Sequence, residues 1–134
     1  MKKLLEKNDP LTFIINRTDA IGDLVLTLPV AQRLKEKFPN CSIVMIVSSR
    51  NKDVIEHCPY VDGYIEYVGN FFQTLSKFKK VVQEAVLPVF IHFGGSQLPI
   101  LQAVLCGIKY KLGLKSKVLT SFLNYGVRQV DRVP

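Results

Sequence analysis

The chain has 134 residues, 48% hydrophobic and 22% charged, a composition that fits one globular domain with a real core and excludes disordered and collagen-like chains. Eighteen Lys and Arg against eleven Asp and Glu give a net charge of +7, so an anionic partner is favoured: nucleic acid, a phosphorylated ligand or an acidic membrane face. The excess gathers toward the C-terminus, where Lys109, Lys111, Lys115, Lys117, Arg128 and Arg132 are opposed only by Asp131; a solvated basic surface is the plain alternative.

The uncharged stretch from Ala85 to Gly107 is interrupted by Pro88, His92, Gly94, Gly95 and Pro99, which excludes a bilayer-spanning helix there. The N-terminus, MKKLLEKNDPLTF, offers only a Leu pair where a secretory signal needs a continuous apolar core, and so predicts a cytoplasmic protein. Cys41, Cys58 and Cys106 are odd in number and lack CxxC or Cys/His spacing. They read as reduced, buried thiols rather than as a disulfide framework or a zinc site.

In chain order, Leu11 to Asn16 (LTFIIN) is a short apolar run between Pro10 and the polar Arg17, Thr18 and Asp19, and predicts a buried strand. Leu24, Leu28, Ala31, Leu34 and Phe38 recur at helical spacing, and Pro39-Asn40 stops the helix they predict. Pro29 inside it predicts either a regular helix that begins near Thr27 or a kink. Ser42 to Val47 (SIVMIV) predicts a second strand, and Ser48 and Ser49 offer capping hydroxyls to a short helix from Arg50 to His57, ended by Pro59.

Tyr64 to Val68 predicts a third strand, and Phe71 to Ala85 a helix with Phe71, Leu75, Phe78 and Val82 on one stripe. Val89 to Phe93 predicts a fourth strand, Leu98 to Leu105 a helix ended by Gly107, and Ile108 to Leu112 a fifth strand. No closing element is legible from Ser116 to Pro134, as in the front part of something larger. Continuous apolar strands alternating with helices predict a parallel sheet covered on both faces. Residues 1–134 then form one Rossmann-like α/β domain.

In such sheets ligands bind beyond the carboxyl ends of the strands, which directs attention to Arg17-Thr18-Asp19-Ala20-Ile21-Gly22-Asp23. A single glycine excludes the dinucleotide fingerprint, and the lack of Gly-Lys-Ser/Thr excludes a Walker A loop. Gly22 permits a tight turn or the close approach of a ligand to backbone. Asp23 falls at the helix start, where it caps the helix and complements its dipole, or serves as a base taking a proton from a substrate hydroxyl; the two roles are compatible. Asp19 has the same capping reading. His92 reads as a partly buried histidine at a strand end, and Gly94-Gly95-Ser96 as an anion-holding turn or as the plain strand-to-helix loop.

The stretch FIINRTDAIGDLVLTLPVAQRLKEKF, Phe13 to Phe38, resembles the N-terminal signature of the ADP-heptose:lipopolysaccharide heptosyltransferases, glycosyltransferase family 9. Both have a strand, an Arg/Ser-rich loop, a Gly-Asp pair and a helix entered through Leu-Pro. The resemblance continues through SIVMIVSSRNKDVIEHCPYVDGYI and AVLCGIKYKLG, and so covers the chain from about residue 11 onward. It implies a GT-B glycosyltransferase, in which two Rossmann-like domains face each other across a cleft. The first binds the acceptor and the second the nucleotide-sugar; this chain corresponds to the first, with the donor-binding domain absent.

The resemblance further implies Asp23 as general base of an inverting transfer and Gly22 as the residue that keeps the loop tight. It makes Arg17, Thr18, Arg50 and Lys111 acceptor-binding positions, where the basic groups meet carboxylates of Kdo or phosphates of the lipid A core; Lys109 lies in the same basic segment. The implied donor is ADP-heptose, reached through the absent domain, and the implied acceptor is lipid A-Kdo at the cytoplasmic face of the inner membrane. No redox cofactor and no obligatory metal are implied, and the chain alone would not turn over. A second reading is a non-catalytic Rossmann-like module that holds an acidic glycolipid or a protein partner, told apart by what covers the C-terminal edge of the sheet. Nucleic acid is not an expected partner, since the basic tail lacks interleaved aromatics.

Overall fold

The computed structural model of the chain describes residues 10–18, 21–67, 70–94, 96, 98–114 and 125–127. Strands and helices alternate: β1 (Leu11–Arg17), α1 (Ile21–Lys37), β2 (Ser42–Ser48), α2 (Lys52–Glu56), β3 (Gly63–Tyr67), α3 (Phe71–Glu84), β4 (Leu87–Gly94), α4 (Leu98–Leu105), β5 (Tyr110–Leu114) and β6 (Tyr125–Val127). The strands form one parallel sheet in the order β3-β2-β1-β4-β5-β6. The expected Rossmann-like α/β class is therefore the observed one.

Alternation along the buried strands divides the core into two layers. Phe13, Ile15, Ile43 and Met45 pack with Leu24 and Ala31 of α1, with Phe38 just after that helix and with Ile55 of α2. Ile14, Ile46 and Phe90 pack with Phe78 of α3 and with Ile100 and Ala103 of α4 on the other face. Each layer contains an aromatic contact between helix side and sheet, Phe13 with Phe38 at 5.6 Å and Phe78 with Phe90 at 6.0 Å between ring centres. At the amino end of the sheet, Lys35 donates to the Asp62 carboxylate (2.6 Å) and to the Cys41 carbonyl (3.0 Å), while the same Asp62 oxygen accepts from the Ile43 amide.

Three local expectations are corrected. The first helix starts at Ile21 and runs through Pro29, rather than beginning near Thr27. Pro29 is tolerated because it lies on the exposed side of α1, and the carbonyl it leaves without a helical donor belongs to half-exposed Val25. The hydroxyls of Ser48 and Ser49 do not cap α2: a turn closed by Asn51 N–H to the Ser48 carbonyl delays the helix, whose flanking residue is Asn51. The tail, which showed no closing element, contributes β6 against β5. Gly107 ends α4 with a φ of 77°, as its position predicts.

The cysteines are free, with Cys41 buried and Cys58 and Cys106 half-buried. Burial pushes the Cys41 and Cys106 thiols above the usual range, with Lys35 and Lys79 respectively opposing the shift. No helix among the described residues is long and apolar enough to cross a membrane. No cluster of three or more His, Cys, Asp or Glu among them is placed to hold a metal ion. Asp19, Gly95, Lys115, Lys117, Arg128, Asp131 and Arg132 lie outside the described residues.

Candidate functional site

β1 and β4 are neighbours, but α1 leaves β1 toward one face and α4 leaves β4 toward the other. Their carboxyl ends therefore open a crevice, the place where sheets of this order hold ligands. The polar side chains of consecutive residues Asn16 and Arg17 work on opposite faces of β1 at this point.

On the α4 side, Asn16 is wholly buried and its Nδ2 donates to His92 Nδ1 and to the Ser96 carbonyl, each at 2.8 Å. A carbonyl only accepts, so the amide nitrogen faces Ser96 and both its hydrogens are committed. His92 Nδ1 is then the acceptor, and the neutral ring carries its proton on Nε2. Oδ1 of Asn16 is buried with no hydrogen-bond partner among the described residues. Thr18 Oγ1 accepts from the Ser96 amide at 2.6 Å, and the Ser96 hydroxyl lies 3.2 Å from that of Tyr67 on β3.

On the α1 side, the register of β1 against β4 slips: Asn16 is opposite His92 but Arg17 is opposite Gly94, which leaves Phe93 as the extra residue of a bulge. Arg17 Nη1 donates to the Phe93 carbonyl at 2.8 Å, and Nη2 lies 3.3 Å from Asp23 Oδ1. The Arg17 side chain is 16% exposed and that of Asp23 47%, so the cation lies deeper than the carboxylate it holds. Asp23 occupies the first turn of α1, where the helix dipole favours a negative group. Its carboxylate meets Arg17 and accepts no backbone amide of the described residues. The capping role expected from sequence is thus replaced by an ion pair.

Arg17, Thr18, Gly22 and Asp23 are brought together, with Arg50 exposed in the turn after adjacent β2, at the same sheet end. Lys111 is not part of this group. It sits opposite Phe90 on β5 and its ammonium donates to the Ile108 carbonyl at 2.6 Å, with burial pushing its pKa down. Asn16 was read only as the polar end of an apolar run, and its one sequence signal is an amide closing four residues of central strand. His92, expected to be partly buried, is buried two residues before the end of β4. Exposed apolar side chains rim the same sheet end: Leu26 in α1, Phe72 at the start of α3 and Leu98 at the start of α4.

Gly22 lies in the first turn of α1, outside the left-handed region, and a Cβ there would meet nothing within 4 Å. Turn geometry does not require this glycine, so what it provides is bare backbone at the crevice. Gly22→Ala is expected to leave thermal stability unchanged or raise it by up to about 1 kcal/mol, while weakening any ligand that lies against the helix start. Calorimetry and a binding titration on the same variant check both halves.

Solved structures share this fold. The chain superposes on a family 9 glycosyl transferase of Veillonella parvula DSM 2008 with a TM-score of 0.76, over 96% of this chain and 38% of that one, at 16% identity. Heptosyltransferase WaaC of E. coli with ADP gives 0.72, over 91% and 42%, at 15% identity. ADP-heptose lps heptosyltransferase II of E. coli gives 0.67, over 84% and 33%, at 14% identity. The chain spans between 33% and 42% of the length of these three structures. No family model matches the chain and no curated protein does. The fold of the chain is accordingly the Rossmann-like α/β fold present in solved family 9 glycosyltransferases and heptosyltransferases.

Proposed function

We propose that this chain is the acceptor-binding domain of an inverting, heptosyltransferase-like glycosyltransferase that transfers heptose from ADP-heptose to the lipopolysaccharide inner core. The observation that carries the reading is the Arg17–Asp23 pair at the carboxyl end of β1. Arg17 holds Oδ1, while Oδ2 has no described donor and is the oxygen that takes a proton. As the acceptor hydroxyl oxygen bonds to the anomeric carbon, the bond from that carbon to the nucleoside diphosphate breaks, the configuration inverts, and the hydroxyl proton passes to Asp23. In this reading residues 1–134 hold the acceptor, and ADP-heptose is held by a second, donor-binding domain. The reaction as drawn routes no step through a metal or a redox cofactor.

The acceptor is lipid A-Kdo, whose carboxylates and phosphates suit the net charge of +7 and exposed Arg50. The same charge and the apolar rim of Leu26, Phe72 and Leu98 favour work at the cytoplasmic face of an anionic membrane. Titration of the chain with a Kdo-containing lipid A fragment at two salt concentrations tests this reading. Saturable binding that weakens with salt is expected; no binding at low salt would sink it.

A second reading, a non-catalytic module for an acidic glycolipid or a protein partner, draws on β6, with which the chain covers β5 by its own tail. The two part at Asp23. In a complex with the acceptor fragment, a sugar hydroxyl within about 3 Å of the carboxylate fits transfer, and an acceptor bound elsewhere fits the module.

A further inference from the structure

Asn16 is an uneconomical choice for its place if stability alone decides. Its neighbours in the central strand, Ile14 and Ile15, are wholly buried and apolar. The amide gives up its water there, and Oδ1 finds no partner among the described residues in return, a loss on the order of 1–3 kcal/mol. Valine or isoleucine would avoid that loss and suit a central strand better. What they lack is a nitrogen with two hydrogens, and both are used across the crevice, on His92 and on Ser96.

Those two contacts lie on either side of the register slip. His92 is the last residue in phase with β1, Phe93 is the extra residue, and Ser96 follows the bulge. The Phe93 carbonyl is the one that receives Arg17 Nη1, and Arg17 Nη2 reaches Asp23. A bulge persists when the chain on both sides of it is pinned; otherwise the ladder can realign and turn that carbonyl back toward its neighbour strand. Thr18 contributes a second tie to Ser96, whereas Asn16 grips both flanks.

We propose that Asn16 is the positioning residue of this site: by donating to His92 and Ser96 together it fixes the bulge at Phe93, whose carbonyl aims the Arg17 guanidinium at Asp23. Its functional consequence rests on the reading of Arg17 and Asp23 as the acceptor site. His92 acts in it as a neutral acceptor through Nδ1, a role that an asparagine oxygen at position 92 can reproduce and a leucine cannot.

The experiment uses Asn16→Val, His92→Asn and His92→Leu in the full chain. Nitrogen-15 spectra of the His92 ring and the Arg17 guanidinium are recorded beside titration with the Kdo-containing lipid A fragment. In the unaltered chain His92 is expected as the single Nε2–H tautomer and Arg17 with separate, slowly rotating Nη signals. Asn16→Val removes the orphaned Oδ1 but leaves His92 Nδ1 and the Ser96 carbonyl without their donor, so it is expected to melt somewhat below the unaltered chain, to merge the Arg17 signals, to mix the His92 tautomers and to weaken acceptor binding about tenfold. His92→Asn should retain most of the affinity and the separate Arg17 signals, and His92→Leu should lose both. Separate Arg17 signals in Asn16→Val, or identical behaviour of the two His92 variants, overturns the proposal. If the unaltered chain binds no acceptor, the functional reading falls while the Arg17 and His92 spectra still decide the positioning role.

Discussion

Arg17→Ala is expected to weaken binding of the anionic acceptor at least tenfold and to lower the melting temperature at the same time. The guanidinium sits largely buried between the Phe93 carbonyl and the Asp23 carboxylate, so its removal leaves one half-buried carbonyl without its donor and one carboxylate without its counter-charge. Hydrogen bonds to a charged group contribute about 1.5–3 kcal/mol. For a domain of this size each kcal/mol moves the midpoint by roughly 2–8 °C. Arg17→Lys separates the two roles, since a single ammonium supplies charge but cannot span both acceptors in the fixed geometry of the planar fork. Lysine should therefore recover part of the stability and little of the affinity. An acceptor affinity unchanged in Arg17→Ala would make the residue an internal strut and move the acceptor site elsewhere.

Phe78→Ala is expected to be the most damaging single core change. The side chain is wholly buried between α3 and the sheet, with its ring 6.0 Å from that of Phe90 at a tilt of 33°. Truncation removes the transfer energy of the ring and leaves a cavity, together about 3–5 kcal/mol. That is a large part of the roughly 5–15 kcal/mol that holds a domain folded. Phe72, on the same helix, is 76% exposed, and Phe72→Ala should stay within about 0.5 kcal/mol of the unaltered chain. Urea unfolding of both variants gives the comparison. A cost below about 1 kcal/mol for Phe78→Ala would mean that the α3 layer is not packed.

Much of the architecture was legible because hydrophobic period reports which face of an element is buried. Leu98–Leu105 was bounded correctly, and the predicted Leu11–Asn16 strand fell one residue short of the observed one. Period does not report which strand lies beside which, so the tie from Asn16 to His92, 76 residues away, had no trace in the local pattern. The Arg17–Asp23 pair was half legible: both residues stand in one short loop, but the burial of the guanidinium depends on the bulge at Phe93. Lys111 shows the complementary limit. A lysine in a basic segment looks alike whether its strand carries it to the carboxyl end or to mid-sheet, and only the register opposite Phe90 decides. Ser48 and Ser49 were misread for a related reason, since a cap requires the helix to start at the next residue and the turn to Asn51 intervenes.

The central placement of β1 has a consequence for how the chain comes together. β1 is made first during synthesis, and it can pair with β2 once α1 has closed a short crossover, whereas its other neighbour, β4, begins only at Leu87. Closing that longer loop costs more chain entropy, so the β1–β4 ladder forms after the local β1-α1-β2 unit. Until then one side of this largely buried strand is an open template for another chain. The contacts that build the crevice, from Asn16, Arg17 and Thr18 to His92, Phe93 and Ser96, are those that seal this side. The chain therefore becomes competent to bind at the same step at which it ceases to be vulnerable to aggregation through its centre.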